Sequence, residues 1–397
     1  MMQKEIKPNP FTPKSGWEPK VFAGREREIE VFKKKLEEAT KGRCDHFLVL
    51  GEWGIGKTSL LKEFKKIAQQ QNILASLVTV SEYKKESLRE GVQELIEQIP
   101  KKLPISVKRL RNFFKYINSL GVQLFGSGFN FSKNLEGIQP STLLLDTLLN
   151  LWSDLKKETK ALVILLDDVQ NFSEISNIFT LIKNVLSDDE VLKTKILVGL
   201  SCTYSGWEEF LQKHHPIGRY FTPRLEIKKL NEEETRQAIT ESLRDSGVVF
   251  EKRIVESVWR YTGGHPYELQ ILCYFLYENQ ISGEVDNKVW DSSLEEALVE
   301  LGKRVFDSLY ERASPQEQKI LHVLSSSDKS MTRKEIIEFA KKKNLKLAEG
   351  TIHPLITRLL NKSLLVSHSN FKYSLPDQFF REYLLKIRGY DAEGNLS

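Results

Sequence analysis

The run His46-Phe47-Leu48-Val49-Leu50 followed by Gly51-Glu52-Trp53-Gly54-Ile55-Gly56-Lys57-Thr58-Ser59 decides the fold of this chain. An apolar stretch of strand length leads into a string that satisfies G-x-x-x-x-G-K-[ST], and an amphipathic helix from about Lys57 to Gln70 follows it. Glycines at 51, 54 and 56 let the backbone wrap, so that successive N–H groups and the helix N-terminus face phosphate oxygens. In such a loop Lys57 neutralises the β and γ oxygens of a nucleoside triphosphate and the Thr58 hydroxyl ligates Mg²⁺. Glu52, Trp53, Ile55 and Ser59 complete the nucleotide-binding segment.

A loop of this kind needs an acid at the C-terminal edge of a neighbouring strand to complete the cation site. Ala161-Leu162-Val163-Ile164-Leu165-Leu166-Asp167-Asp168 supplies it: six apolar residues read as a strand buried on both faces, and two carboxylates emerge where open α/β sheets bind ligands. Asp167 is the expected metal partner, directly or through water, and Asp168 the general base that orients the attacking water. Capping of the next helix is the competing role for Asp168.

Around these two motifs the pattern alternates: a helix at Arg25–Glu38, strands at His46–Leu50 and Leu74–Val80, a helix at Glu86–Gln98, and a helix at Pro140–Lys156 leading to the strand Ala161–Leu166. A helix at Ser173–Leu186 and strands at Lys195–Leu200 and Tyr220–Ile227 follow. Such alternation signals βαβ units and a parallel sheet. Between Lys101 and Gly137 it is interrupted. Six positive charges fall between Lys101 and Lys115 without an acid, with Phe113, Phe114 and Tyr116 interleaved, and Val122–Phe131 reads as a hairpin. This insertion is either a nucleic-acid or subunit contact or a solvated helix face with its aromatics in the core.

After Leu230 strands are no longer expected. Asn231–Asp245, which starts at an Asn cap, Lys252–Tyr261, Pro266–Asn279, Trp290–Leu301 and Lys303–Arg312 read as consecutive helices. From Ser314 three helices and two short strands, Leu364–Tyr373, make a winged helix. The expected organisation is an extended N-terminal arm at 1–17, an ATPase core at 18–228 with an insertion at 101–137, a helical lid at 229–300, a winged-helix domain at 301–390 and a tail at 391–397.

Composition limits the alternatives. Apolar residues at 40% and charged residues at 28% are ordinary globular values, which excludes a disordered polymer. No apolar run approaches the roughly 18 residues needed to cross a bilayer, and the first residues lack a leader's apolar stretch, so a soluble, cytoplasmic protein without membrane contact is expected. Cys44, Cys202 and Cys273 are odd in number and widely spaced, which argues against a disulfide framework or a zinc site. The pair His214-His215 has no second cluster at metal spacing. The net charge of +5 sits in the last part of the chain, where 14 basic residues stand against 9 acidic ones after Arg312, and this hints at an anionic partner.

The phosphate loop, the Leu-Leu-Asp-Asp strand end and the upstream Phe22-Ala23-Gly24-Arg25-Glu26 together resemble the AAA+ and STAND ATPases, and most of all archaeal-type ATPases related to origin-recognition initiators. The resemblance runs from about Asn9 to Arg388. It implies an α/β fold, a P-loop NTPase (AAA+) parallel sheet with an all-α lid and a C-terminal winged helix, working on ATP and ADP with Mg²⁺. It further implies that Phe22, Gly24 and Arg25 lie under the adenine and that Ser201 or Thr203 at the end of the fourth strand reads the γ-phosphate. Arg219, or Arg224 as the competing choice, would complete a neighbour's site in an ATP-dependent homo-oligomer. Two departures stand out. In place of a lid arginine the chain has Gly263-Gly264-His265-Pro266-Tyr267, so that His265 and Pro266 are the lid contacts expected here. The second acid is Asp168 rather than Glu, one methylene shorter, so slow hydrolysis and a switch rather than a motor are expected, since a misplacement of about 1 Å can cost about 100-fold in rate.

In the winged helix the recognition helix is expected at about Gly350–Lys362, with Thr351, His353, Thr357, Arg358 and Lys362 as groove-facing candidates; Lys341-Lys342-Lys343, Lys346, Asn370 and Lys372 are phosphate contacts. The partner is double-stranded DNA in one reading. In the other, that of a STAND-like signalling assembly, it is a protein surface.

Overall fold

The computed structural model describes residues 7–13, 18–80, 88–119, 139–172, 178–213, 219–345, 347 and 349–388. The expected hairpin at 122–131, His214, His215, Lys346 and the tail lie outside them. The chain forms two compact units, residues 25–228 and residues 1–24 with 229–397.

In the first unit the elements run α1 (Glu26–Thr40), β1 (Phe47–Leu50), α2 (Lys57–Gln70), β2 (Leu74–Thr79), α3 (Leu88–Lys101), α4 (Val107–Ser119), α5 (Pro140–Leu155), β3 (Leu162–Asp167), α6 (Ile178–Leu186), α7 (Asp189–Leu192), β4 (Ile196–Cys202), α8 (Tyr204–Lys213) and β5 (Arg224–Glu226). The sheet order is β2-β3-β4-β1-β5, parallel throughout. β1, β3 and β4 are buried along their whole length, as the mostly apolar strands of a two-sided parallel sheet are. Their C-terminal ends come level, Leu50 beside Cys202 and Leu166 beside Leu200. The loops after β1, β3 and β4 therefore share one sheet edge.

The last strand is shorter than Tyr220–Ile227. Pro223 has no N–H to give to a ladder, and pairing with β1 starts at Arg224. The basic stretch is helical. In α4 Phe113 and Ile117 are buried while Lys108, Arg111 and Lys115 share the exposed face, and Arg109 pairs with Glu158.

In the second unit α9 (Glu232–Leu243) starts at Asn231, whose side chain caps Glu234 N while Glu234 reaches back to Asn231 N. β6 (Val249–Phe250), α10 (Lys252–Thr262), α11 (Pro266–Glu278), β7 (Glu284–Val285) and α12 (Trp290–Leu301) follow. The expected all-α lid is thus corrected: β6 and β7 pair in parallel, two residues each and too short to leave an alternating pattern. Residues 7–13 of the expected extended arm pack on this unit. Phe11 is buried against Phe250 and Tyr277, and Asn9 donates to the Tyr274 carbonyl.

From α12 the chain passes without a loop through one π-turn, Gly302–Phe306, into α13 (Asp307–Glu311). The winged helix comprises α14 (Pro315–Ser325), β8 (Met331–Thr332), α15 (Arg333–Lys342), α16 (Ile352–Asn361), β9 (Val366–His368) and β10 (Lys372–Ser374), and α17 (Gln378–Lys386) closes it. β8 adds a third antiparallel strand to the expected wing. One apolar core runs through lid and winged helix, with Phe379, Phe380 and Tyr383 of α17 inside it. Among the described residues no helix is long and apolar enough to cross a membrane.

Candidate functional site

At the C-terminal edge of the sheet the loop after β1 wraps as its glycines allow. Gly56 caps α2 with φ +101°, a left-handed conformation that a side-chain-bearing residue would hold only with strain. Gly51 N–H donates to the Cys202 carbonyl at 3.3 Å, which ties the loop's start to the end of β4. Lys57 is buried and its Nζ donates to the carbonyls of Gly51 (3.0 Å) and Glu52 (2.9 Å). Burial lowers its pKa, and the nearby Asp168 and Asp167 work against that fall. Glu52 and Trp53 are exposed at the loop's crown, Ile55 is buried beneath it, and Ser59 is half-buried in the first turn of α2.

The Thr58 hydroxyl donates to Asp167 Oδ2 at 2.7 Å, and the Ser201 hydroxyl donates to Asp167 Oδ1 at 2.5 Å. Asp167 and Ser201 are fully buried. Burial, and the charge of Asp168 next to it, push the Asp167 pKa up; the two hydroxyls and Lys57 pull it back. A hydroxyl and a carboxylate converging with a second acid adjacent are the hard oxygen donors that Mg²⁺ takes, and a cation there would relieve the repulsion between the carboxylates. The residues therefore fit the ion.

Asp168 sits just past β3 with φ +56°. Its N–H donates to the Ser201 oxygen at 3.0 Å, and its Oδ1 accepts from Gln170 Nε2 at 3.0 Å. Ser201 thus spends its proton on Asp167 and a lone pair on the Asp168 amide, inside the strand pair. Thr203, past the strand end, is the polar residue nearer the open edge; its N–H donates to Gln170 Oε1 at 3.3 Å. Gln170 is the member of this constellation that motif reading passes over. A lone amide two residues beyond the acid pair carries no spacing rule.

The other expected contacts are placed differently. Arg25 is buried, and its Nη2 donates to the carbonyls of Ile55 (3.2 Å) and Lys228 (2.9 Å), so that it braces the phosphate loop against the exit of the last strand. Phe22 and Gly24 belong to the other compact unit, with His265 and Pro266. His265 is buried at the cap of α11 and Pro266 is that helix's first residue. Arg219 is exposed, whereas Arg224 stands over the Trp207 ring at 5.9 Å.

In the winged helix the cations Arg358 of α16 and Lys362 at its C-cap pair with a buried acid, Arg358 remaining more than half exposed. Arg358 Nε and Lys362 Nζ bind the two oxygens of Glu317 on α14 at 2.8 and 2.7 Å. His353, Pro354, Thr357 and Asn361 remain as the exposed, uncharged face of the recognition helix. Thr351 is exposed just ahead of α16, and Lys341, Lys342 and Lys343 are exposed at the end of α15.

Comparison with known proteins agrees with this architecture. Residues 21–179 match the AAA ATPase domain family, and residues 313–374 match the penicillinase repressor family. No curated protein matches the chain. Among solved structures, a Walker-type ATPase of Pyrococcus abyssi superposes with a TM-score of 0.60 at 17% identity, covering 92% of this chain and 96% of that one. The ORC2 protein of Aeropyrum pernix, in ADPNP–ADP complexes, gives 0.63 at 14% identity over 94% and 96%. Phosphate loop, acid pair, parallel sheet and winged helix thus fall into two recognised parts, and the chain carries an AAA ATPase domain of P-loop fold followed by a C-terminal winged helix similar to the penicillinase repressor family.

Proposed function

We propose that the chain is a Mg²⁺-dependent ATPase that acts as a nucleotide-controlled switch on double-stranded DNA or a nucleoprotein assembly. The observation that carries the enzymatic half is the meeting of Lys57, Thr58, Asp167, Asp168 and Ser201 at one sheet edge, beneath a loop of backbone amides. Thr58 Oγ1 and Asp167 would hold the cation, which supplies charge neutralisation at the β and γ phosphates when bound. Lys57 Nζ, with three protons and two loop carbonyls to satisfy, directs its remaining donor at a phosphate oxygen. Asp168 accepts the proton of the attacking water. Ser201 keeps both acids in register; a γ-phosphate contact falls more naturally to Thr203. The exposed Arg219 is the candidate for completing a neighbour's site in an ATP-dependent homo-oligomer.

For the second half, the winged helix and the acid-free face of α4 with Lys108, Arg111 and Lys115 support DNA as partner. A specific observation favours a protein partner instead: both cations of this helix end are engaged by Glu317, and apart from the half-exposed Arg358 its outer face is uncharged.

Calorimetric titration with ATP analogue and Mg²⁺ tests the site. Lys57→Ala is expected to lose about 10- to 100-fold in affinity, as removal of charge-assisted bonds does. Asp168→Asn is expected to keep binding and lose about 100-fold or more in turnover. A properly folded wild-type chain that retains no adenine nucleotide overturns the reading, and unchanged turnover in Asp168→Asn reassigns the base. Duplex binding at two salt concentrations, with ADP and with the analogue, separates the partners: no binding at low salt leaves the protein-docking reading.

A further inference from the structure

We propose that Gln170 is a positioning residue for Asp168, its side-chain amide tying the second acid of the site to the backbone at the end of β4. The proposal rests on the ATPase reading above and goes one residue beyond it. Asp168 is placed by a turn rather than by the strand: its backbone is left-handed, at φ +56°, a conformation a non-glycine residue holds only with strain. Nothing in strand pairing aims its carboxylate. Among the described residues the side-chain donor to that carboxylate is Gln170 Nε2, at 3.0 Å from Oδ1. The other end of the same amide accepts the Thr203 N–H at 3.3 Å.

A side-chain amide can donate to a carboxylate and accept from a backbone N–H through the two ends of one rigid plane. A carboxylate would repel Asp168, and a cation could not accept from Thr203. The stem of Gln170 is held as well. A Cβ on Gly206 would come within 2.4 Å of Gln170 Cβ, so the glycine in the first turn of α8 lets the side chain lie close. On the other side Asn171 fixes the turn, its N–H donating to the Asp168 carbonyl at 3.0 Å and its Nδ2 to the Val80 carbonyl at 2.7 Å. The neighbours Val169 and Phe172 are fully buried.

Gln170 therefore joins two structural pieces that a triphosphate must address together, the acid that accepts the water's proton and the strand end carrying Thr203. A displacement of Thr203 pulls on Gln170 and re-aims Asp168. The effect falls on turnover and not on nucleotide affinity, because the side-chain hydrogen bonds of Gln170 go to Asp168 and Thr203, whereas Lys57 and Thr58 are held by Gly51, Glu52 and Asp167.

The test uses the full chain. Gln170→Met keeps the stem's length against Gly206 and removes both polar ends; its kcat is expected to fall about 10- to 100-fold, while the affinity for a fluorescent ADP analogue stays within about twofold. Gln170→Glu, which retains an acceptor for Thr203 and sets a second carboxylate against Asp168, is expected to fall at least as far. The deciding arm is the pair of substitutions combined. If Gln170 acts through Asp168, adding Gln170→Met to Asp168→Asn costs no further turnover, whereas a packing role adds its cost again. Wild-type kcat in either single variant, parallel losses of affinity and kcat, or additivity in the double variant overturns the proposal. Nucleotide binding without turnover in the wild-type chain defeats the hydrolytic reading and this role together. Turnover that Gln170→Met leaves intact defeats this role alone.

Discussion

Glu317 offers the most exacting test of the winged helix, because one buried carboxylate there performs three tasks. Its side chain is 1% exposed, its Oε2 accepts the Ser314 N–H at 2.7 Å as half of a capping box, and its two oxygens take Arg358 and Lys362. Those donors hold its pKa at about 2 against the ordinary 4.5, although burial alone would raise it. The fall is worth at most about 3.4 kcal/mol. Arg358 is 54% exposed, so solvent screens its share, and about 2 kcal/mol is the figure to expect on replacing the charge by Glu317→Gln. The sign fixes the pH window. A carboxyl whose pKa is depressed by folding contributes its full stability above 4.5 and loses it as pH falls from there toward 2. Hydrogen exchange over α14 and α16 of the full chain reads the local opening free energy. At neutral pH the variant should open more easily by about 2 kcal/mol, and the gap to wild type should shrink progressively below 4.5. Equal exchange at neutral pH, or a gap that persists undiminished in acid, would refute the ionic account and assign the cluster to packing.

Two further outcomes follow from the same unit. Gly264 has φ +77°, and a Cβ there would stand 1.8 Å from the Leu230 carbonyl oxygen, so Gly264→Ala should cost about 3 kcal/mol or more. Exchange in α9, α10 and α11 should accelerate while β1, β3 and β4 stay protected; unaltered protection in those helices would mean that the backbone yields freely. Glu268 of α11 is buried against Asp377, the cap of α17, with Lys229 near both; burial and the Asp377 charge raise its pKa well above the usual carboxylate value. A raised carboxyl pKa takes stability away as pH climbs above 4.5, so Glu268→Gln should gain on wild type from mildly acidic to alkaline pH. Only the difference between the two proteins is diagnostic, because buried His322, held neutral down to about 4, slopes the other way in both. A constant difference across that range would show that Glu268 carries no proton of its own in the fold.

The parts of the fold visible from the residues alone are those whose burial is uniform. β1, β3 and β4 are buried along their whole length and mostly apolar, and they end at Leu50, Asp167 and Cys202, so strand and sheet edge follow from composition and one glycine string. Expectation faltered where an element is too short for a period, as in β6, β7 and β8, or where proline removes a ladder donor, as at the start of β5. α17 escaped because its apolar pairs Phe379-Phe380 and Tyr383-Leu384 pack into a core assembled from helices far away in sequence. In α4 the structure has the form of a solvated helix face with an aromatic in the core: Phe113 and Ile117 lie inside, and Lys108, Arg111 and Lys115 face water.

The candidate site divides along the same line. Lys57, Thr58, Asp167 and Asp168 are readable because phosphate chemistry demands those groups at fixed distances from a strand end. Ser201 was readable as a polar residue near that end, but strand position says nothing about which neighbour takes a hydroxyl's single proton; the partner turns out to be Asp167, 34 residues away. Arg358 and Lys362 look like groove-facing cations until Glu317, 41 and 45 residues earlier, is brought beside them. In both cases a short-range pattern gives the residue's chemistry and a long-range contact decides where that chemistry is spent. Gln170 is the sharper instance: an amide without charge, motif or period, whose two ends meet Asp168 and Thr203 only after β3 and β4 have paired. Groups that generate force on a ligand can be found from their type, whereas groups that aim them can be found only from the fold.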